Sequence, residues 1–298
     1  MKADKNLGLF YVLISAFLFS TKAIAIKLAY ISHLSPITVL TLRMSFAAPF
    51  YLVILLYNIT TRKEVVKVSQ ADFVFLLFIS LLGYYLSSYL DFYGLQYVTA
   101  GMERLILFIY PTFTVILSFI LLHKKINKTT WWALITCYAG VLLVVANDLV
   151  IKYNTKTLTG IICILLCAVT YAIYLVFGEK MLRQMGSVLF TTIVMLISCT
   201  AVFIHYMMVE NISDIFQFSA NTYLLGLYLG IFATVIPTYL ATEGLKLVGA
   251  NHVAITSSIG PIVTMVLAHY ILGEVADVWQ ICGTALVIAG IWVMNKYK

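Results

Sequence analysis

Apolar residues fill ten long stretches of this chain, and short polar segments separate them. The stretches cover roughly 7–30, 36–57, 72–95, 99–122, 129–147, 158–180, 187–209, 221–244, 249–272 and 276–295. Each is close to the ~20 apolar residues that an α-helix needs to cross a bilayer. Most charged residues lie in the connections between them. The pattern therefore predicts an all-α integral membrane protein with ten transmembrane helices.

The hydrophobic pattern also repeats along the chain. The stretch 94–144 aligns without a gap with 244–294, and Pro111 falls on Pro261. The first helix aligns with the sixth at a shift of 152 residues. Such internal repeats define the architecture of a fold. We expect two five-helix repeats joined by a linker, with boundaries at 1–147, 148–157 and 158–298.

Five helices is an odd number, so the second repeat is expected to be inverted in the membrane. With the N-terminus in the cytoplasm, basic residues lie almost entirely on the cytoplasmic side, as is usual in membrane proteins. Those on that side are Lys2, Lys5, Arg62, Lys63, Lys67, Lys124, Lys125, Lys128, Lys180, Arg183, Lys246, Lys296 and Lys298, and those on the other are Lys152 and Lys156. Both termini are therefore expected in the cytoplasm.

Composition agrees with a membrane protein. The chain is 62% hydrophobic and 10% charged, whereas soluble domains contain about 25% charged residues. Its net charge of +7 does not indicate nucleic-acid binding, because the basic residues lie in separate short loops and form no continuous patch.

Five charged residues interrupt the apolar stretches in a way that predicts a site. They are Lys22, Arg43, Asp91, Glu103 and Arg104, from four helices, and the predicted topology puts all of them in the outer half of the membrane. Ionisable groups at such depth are costly and mark functional positions. Three positive and two negative groups leave one positive charge for a substrate carboxylate or phosphate. A salt-bridge network that closes the outer side, or a gate, remains an alternative.

Polar and aromatic side chains add to this candidate site. Tyr84, Ser87, Ser88 and Asp91 recur at helical spacing, so one face of the third helix points to a cavity or to another helix. The candidate substrate-binding or gating residues are Lys22, Arg43, Tyr84, Tyr85, Ser88, Tyr89, Asp91, Glu103, Arg104, Tyr110, Tyr174, Thr238, Tyr239 and Ser257. Aromatic packing between helices is the alternative role for the tyrosines.

Three prolines inside apolar stretches predict bends. Pro111, Pro237 and Pro261 each remove a backbone hydrogen bond. Interrupted helices at corresponding places in two repeats indicate the binding site and hinge of a transporter. We therefore expect these prolines to act as hinges.

The ordered set of motifs resembles the drug/metabolite transporter superfamily, in particular EamA-type transporters with two EamA repeats. The resemblance rests on FLFSTKAIAIKLA in the first helix, Leu34-Ser35-Pro36 before Arg43, the two central prolines, Leu272-Gly273-Glu274, and Ala139-Gly140 with Ala289-Gly290. Two features differ from the family pattern. Phe19-Ser20 replaces a tryptophan-glycine pair, and His123-Lys124 replaces the Gly-Glu pair after the fourth helix.

This resemblance implies a secondary transporter, often an exporter, of amino acids or related zwitterions and organic anions. Substrate would bind in a central cavity between the repeats, by alternating access, in the cytoplasmic (inner) membrane. Expected partners are a small-molecule substrate, a coupled proton and the lipid bilayer, with no nucleic acid, and the protein would be a monomer or homodimer. No cofactor or metal is expected.

Two other classes of function stay open at this point. A membrane-embedded enzyme would need a catalytic motif such as HExxH or a nucleophile elbow, and the sequence contains neither. A passive channel would need a filter loop or an oligomeric ring of side chains, and no re-entrant loop is evident. Both classes are therefore less well supported than a carrier, which is not an enzyme.

Overall fold

All regular secondary structure in the described residues, 2–61, 69–123, 128–151 and 155–296 of the computed structural model, is helical. The α-helices are α1 (Lys2–Ile31), α2 (Pro36–Thr61), α3 (Gln70–Ser80), α4 (Ser87–Leu95), α5 (Ala100–Leu107), α6 (Tyr110–Leu122), α7 (Lys128–Ile151), α8 (Thr155–Met185), α9 (Ser187–Val209), α10 (Ala220–Gly230), α11 (Ile236–Ser257), α12 (Gly260–Leu267) and α13 (Val278–Lys296). Three π-helical turns, Leu81–Leu86, Ile231–Val235 and Ala268–Leu272, and a 3₁₀ turn at Ile212–Phe216 complete the set.

Seven helical runs within the described ranges are long and apolar enough to cross a bilayer. They are Lys5–Ile31, Pro36–Thr60, Gln70–Leu95, Ala100–Leu121, Thr155–Met185, Ser187–Val209 and Ala220–Val248. Three shorter apolar helices cover Trp131–Ala146, Gly260–Leu272 and Val278–Val293. The expected all-helical, multi-pass membrane protein is therefore confirmed.

One predicted connection is absent. The chain was expected to leave one helix near residue 244 and to enter the next at 249, but α11 is helical from Ile236 to Ser257. The corresponding place in the first repeat does contain a turn, after which α5 begins. Thr99 caps the start of α5, and its hydroxyl oxygen accepts a hydrogen bond from the Met102 amide. Gly249 stands where Thr99 would lie and has no side chain to form such a cap.

Irregular points of the backbone recur 150 residues apart. The N-cap of α3 is Ser69 and that of α10 is Ser219, and each serine accepts a hydrogen bond from an amide three residues on. A π-helical turn follows each of these helices. His123 and Gly273 both end a helical run in the left-handed conformation. The repeat in the sequence is therefore also a repeat in local structure.

The interruptions of the fourth and ninth predicted helices coincide in the same way. Helix α5 ends at Leu107 and α6 begins at Tyr110, while α11 ends at Ser257 and α12 begins at Gly260. Pro111 and Pro261 are the second residues of the helices that follow. A proline is tolerated in a first helical turn because its missing N–H has no partner there in any case. Pro237 likewise follows a π-helical turn, so all three prolines lie at interruptions. Their role as hinges stays a prediction.

Helices of one repeat pack against helices of the other. Helix α1 contacts α11, and α4 contacts α8. A Cβ added to Gly94 would lie 2.9 Å from the carbonyl oxygen of Gly160, and one on Gly160 would lie 2.9 Å from that of Gly94. These glycines correspond to Gly244 and Gly8, and a Cβ on Gly244 would lie 3.1 Å from the carbonyl oxygen of Gly8. The contact of α4 with α8 therefore has an equivalent in the contact of α11 with α1, where the second repeat supplies the residue that the first repeat supplied before.

The contact between α7 and α13 is self-complementary. A Cβ on Gly140 would lie 2.6 Å from the carbonyl oxygen of Gly283, and a Cβ on Gly290 would lie 2.8 Å from that of Ala133. The two contacts are equivalent, because Gly290 lies 150 residues after Gly140 and Ala133 lies 150 residues before Gly283. As residue numbers rise along α7 they fall along α13, so the two helices are antiparallel.

Candidate functional site

A cavity of ≈ 290 Å³ lies between the two repeats. Residues at equivalent positions of the two repeats line it in pairs. The pairs are Ser15 with Cys167, Phe19 with Tyr171, Tyr84 with Thr234, Ser88 with Thr238, Asp91 with Ala241, and Leu107 with Ser257. The cavity therefore lies where the internal symmetry of the chain brings the two halves together.

The charged residues of the cavity wall are not symmetric. Lys22, Arg43, Asp91 and Arg104 all come from the first repeat. The residues that match Lys22, Asp91 and Arg104 in the second repeat are Tyr174, Ala241 and Ala254. The second repeat thus supplies apolar and hydroxyl-bearing wall to a charged cluster that belongs to the first.

Lys22 joins two carboxyl groups in this cluster. Its Nζ lies 2.5 Å from Oδ2 of Asp91 and 4.0 Å from Oε1 of Glu103. The side chain of Asp91 is 2% exposed and that of Glu103 is fully buried. Neither oxygen of Glu103 has a hydrogen-bond partner within the described part of the chain. Removing one partner of a buried ion pair strongly destabilises the folded protein, because the other charge stays buried without compensation. The charges of Lys22, Asp91 and Glu103 therefore depend on one another.

Arg43 connects the two repeats through hydrogen bonds. Its Nε donates to Oγ1 of Thr234 at 2.7 Å, and its Nη1 donates to Oγ of Ser88 at 3.4 Å. The guanidinium carbon lies 5.5 Å from the ring centre of Phe92. Thr234 itself donates to the carbonyl oxygen of Leu229, five residues back, as the π-helical turn allows. These contacts hold the guanidinium in one orientation at the cavity wall.

Arg104 reaches the interruption between α11 and α12. A Cβ placed on Gly260 would lie 3.1 Å from its Nη2 and 3.4 Å from its Nε. The Nε atom is buried and has no hydrogen-bond partner among the described residues. An unpaired buried donor is unusual in a folded protein, and it points to an acceptor that binds there.

Aromatic rings form much of the remaining wall. The ring centres of Tyr110 and Tyr171 are 5.1 Å apart, and those of Tyr84 and Tyr171 are 6.1 Å apart, both in edge-to-face geometry. Phe19 and Phe108 also line the cavity. Such a wall offers flat apolar surface together with phenolic hydroxyl groups.

The structure brings most of the predicted site residues to the cavity. Those that line it are Lys22, Arg43, Tyr84, Ser88, Asp91, Arg104, Tyr110, Thr238 and Ser257. Ser87, the remaining member of the polar stripe on the third predicted helix, lines it as well. Glu103 lies behind this wall and reaches the cluster through Lys22.

Four predicted tyrosines lie elsewhere. The hydroxyl of Tyr85 is 3.1 Å from Nδ1 of His205, and the ring of Tyr89 is 4.8 Å from that imidazole. Tyr174 packs between Tyr84 and Phe190 in a buried cluster. The hydroxyl of Tyr239 is 2.9 Å from Oγ1 of Thr192. These four residues were predicted at the site, and the structure places them beside it in contacts between helices.

Several residues of the cavity wall were missed in the sequence. They include Ser15, Phe19, Leu107 and Cys167. The repeat alignment contained a signal for Leu107, which matches the predicted site residue Ser257, and it also pairs Phe19 with Tyr171 and Ser15 with Cys167. His205, which contacts Tyr85 and Tyr89, also gave no pattern in the sequence that would pair it with them.

Specific polar contacts join helices at one end of the bundle. The carboxylate of Glu274 accepts hydrogen bonds from the Ala100 amide at 3.1 and 3.0 Å. The Tyr30 hydroxyl donates to the carbonyl oxygen of Phe92 at 2.6 Å, and Ser35 Oγ donates to Glu210 at 2.8 Å. A carboxylate at the N-terminus of a helix is stabilised by the helix dipole. The contact of Glu274 with the first amide of α5 therefore connects the two repeats at this end.

Fold and site together define a class of protein: a multi-pass helical membrane protein built from two repeats, with a charged and aromatic cavity between them. Residues 6–146 and 158–296 each match the model of the EamA-like transporter family. The chain belongs to this family, and its predicted resemblance to EamA-type transporters is confirmed.

Bacterial relatives match over nearly their full length. The chain is 30% identical to the uncharacterized transporter YcbK of Bacillus subtilis, covering 93% of this chain and 88% of the relative. It is 23% identical to the uncharacterized transporter YyaM of the same organism, covering 96% and 93%. An uncharacterized transporter of Clostridium kluyveri is 25% identical, covering 95% and 91%. The family and these names point to transport rather than catalysis.

A solved crystal structure has the same fold. It superposes with a TM-score of 0.67 at 14% sequence identity, covering 96% of this chain and 95% of that one. The match extends over both repeats.

Proposed function

We propose that this protein is a secondary transporter that moves a small organic metabolite across the cytoplasmic membrane by alternating access. The metabolite would be an amino acid, a related zwitterion or an organic anion. The observation that carries the proposal is the cavity of ≈ 290 Å³ between the repeats, which has buried charges on its wall. Its residues from both repeats would move relative to one another as the transporter changes state.

The proposal includes ten membrane spans arranged as inverted repeats with both termini in the cytoplasm. The antiparallel packing of α7 and α13 supports inversion, since these helices are equivalent in the two repeats. Basic residues on the proposed cytoplasmic side support the orientation. In this orientation the end at which Glu274 contacts the Ala100 amide faces outward. The family resemblance favours export, and Glu103 beside Lys22 is the candidate group for a coupled proton.

Counterflow in proteoliposomes tests the transport function. Purified protein would be reconstituted with a mixture of unlabelled metabolites inside, and the uptake of labelled amino acids and organic acids would be measured. We expect uptake of at least one compound that saturates with concentration and depends on internal solute. Conductance that does not saturate would instead identify a channel. No flux above that of empty liposomes for any compound would contradict transport.

A further inference from the structure

The charges of the cavity wall are unequally paired. Within the described residues, Lys22, Arg43 and Arg104 line the wall together with a single acidic residue, Asp91. Asp91 is already engaged by Lys22 at 2.5 Å. Glu103 is fully buried behind Lys22 and is not part of the wall. Two guanidinium groups therefore face the cavity without a carboxylate partner.

Arg43 is oriented before any ligand arrives. It is 5% exposed, and its bonds to Thr234 and Ser88 use only part of the five N–H donors of a guanidinium group. The contact with Phe92 supports the same orientation. A fixed, planar set of donors matches a carboxylate better than it matches any neutral group.

Arg104 supplies a second set of donors. Its Nε is buried without a partner, and its guanidinium lies against the backbone at Gly260. Because the acceptor missing at Nε is not supplied by the described protein atoms, an anionic group in the cavity would complete its hydrogen bonds. Arg43 and Arg104 thus select for negative charge, and they repel positive charge.

The wall offers a substrate ammonium group one carboxylate within the described residues, that of Asp91. Its Oδ2 is held by Lys22 at 2.5 Å, and its Oδ1 is buried without a hydrogen-bond partner in the described part of the chain. An ammonium group at Asp91 would therefore lie beside the positive charge of Lys22, which repels it. Part of the remaining wall is aromatic, because Tyr84 and Tyr110 each pack against Tyr171. A void of ≈ 290 Å³ corresponds to roughly ten water molecules at ~30 Å³ each, which is enough for one substituted aromatic ring.

We infer that the cavity selects an aromatic carboxylate without an amino group. The carboxylate would face Arg43 and Arg104, and the ring would lie on the tyrosines. This inference rests on the proposed transport function and narrows its substrate class from zwitterions and anions to anions. Lys22 and Asp91 neutralise one another and take no direct part in this selection.

Three compounds with the same phenyl and two-carbon skeleton test the charge selection. They are 3-phenylpropionate, which carries a carboxylate, 2-phenylethylamine, which carries an amine, and phenylalanine, which carries both groups. We expect 3-phenylpropionate to raise the Tm of the purified protein and to bind about tenfold or more tightly than phenylalanine. The amine is expected to give no shift. Hexanoate, an apolar carboxylate without a ring, is expected to bind more weakly than 3-phenylpropionate.

Variants at Arg104 test whether this residue is responsible for the preference for a carboxylate. Arg104→Gln is expected to weaken binding of 3-phenylpropionate about tenfold, and Arg104→Lys to restore part of it. Arg183→Gln is the matched control, because Arg183 is 75% exposed, pairs with Glu179 and does not line the cavity. Equal or tighter binding of phenylalanine or the amine, no binding of 3-phenylpropionate, or unchanged binding in Arg104→Gln would each overturn the inference.

Counterflow with the same compounds separates the two proposals. If phenylalanine exchanges saturably and 3-phenylpropionate does not, the protein is a carrier and the anion selection is wrong. If no compound and no metabolite mixture exchanges, the transport function itself fails. Saturable exchange of 3-phenylpropionate in preference to phenylalanine supports both.

Discussion

Two ion pairs of equal length occupy opposite environments in this protein. Lys22 lies 2.5 Å from Asp91, and Lys246 lies 2.5 Å from Glu243. The side chains of the first pair are 13% and 2% exposed, whereas those of the second are 49% and 48% exposed. Exposed pairs contribute about 0–1 kcal/mol, while removing one partner of a buried pair costs about 3–5 kcal/mol. The two pairs therefore allow a matched comparison.

Lys22→Ala and Asp91→Ala are each expected to abolish saturable transport while the protein still inserts into the membrane. Lys22→Ala leaves the buried Asp91 without its ion-pair partner, and Asp91→Ala leaves Lys22 with only Glu103, at 4.0 Å. The Tm is therefore also expected to fall. Counterflow and thermal unfolding of the purified variants measure the two effects. Lys246→Ala, the control, is expected to transport normally with a nearly unchanged Tm. Normal transport by both buried-pair variants would show that the site is assigned to the wrong residues.

Charged residues were easier to predict than aromatic ones. Lys22, Arg43, Asp91 and Arg104 stood out because a charge at membrane depth needs a compensating partner, and the structure gathers all four at one cavity. Tyr85 and Tyr239 carry no such constraint. Their partners, His205 and Thr192, lie on α9, and helical periodicity does not reveal which neighbour a given face meets.

At the scale of single elements, the equivalent π-helical turns Leu81–Leu86 and Ile231–Val235 are followed by different residues at the same position. Ser87 and Pro237 occupy equivalent positions at the ends of the two π-helical turns. The Ser87 hydroxyl donates to the carbonyl oxygen of Gly83, four residues back. Pro237 has no N–H to give to the equivalent carbonyl. Both residues alter the regular i to i−4 pattern, but only the proline could be recognised in the sequence.

Pro111→Ala and Pro261→Ala test the hinge role of the helix interruptions. Alanine restores an N–H and favours a continuous helix, so the conformational step is expected to slow. We expect the maximal rate of counterflow to fall roughly three- to tenfold with little change in the half-saturating concentration.

Pro49→Ala provides the control for these two variants. Pro49 lies inside α2, which is continuous from Pro36 to Thr61, so its replacement is expected to leave the maximal rate unchanged. A loss of rate as large as that in Pro111→Ala, or unchanged rates in both hinge variants, would rule out a special role for the interruptions.

At the scale of the whole molecule, the duplication could be predicted and the helix partners could not. Matched prolines and glycines identified the repeats because close helix contacts and interruptions need those residues. The pairing of α1 with α11 and of α4 with α8 depends on the shapes of complete helix surfaces. Helical continuity from Ile236 to Ser257 was likewise missed, since it follows from the lack of a capping side chain at Gly249.

Cysteine labelling tests the proposed inverted topology. Ser213, in the exposed 3₁₀ turn Ile212–Phe216, and Gln184, near the end of α8, lie on opposite sides of the membrane in this topology. In a variant lacking the five native cysteines, Ser213→Cys is expected to react with an impermeant maleimide on intact cells. Gln184→Cys is expected to react only after permeabilisation. Labelling of both from the same side would contradict the topology.

The packing of α1 against α11 also affects how the chain folds during synthesis. The hydroxyl group of Ser15, in α1, donates a hydrogen bond to the carbonyl oxygen of Pro237, 222 residues later in the chain. The face of α1 that packs against α11 therefore lacks its native partner until α11 has been made. Contacts this distant in sequence form late and favour slow folding. The membrane must hold α1 as an independent helix during that interval, which its own apolar sequence allows.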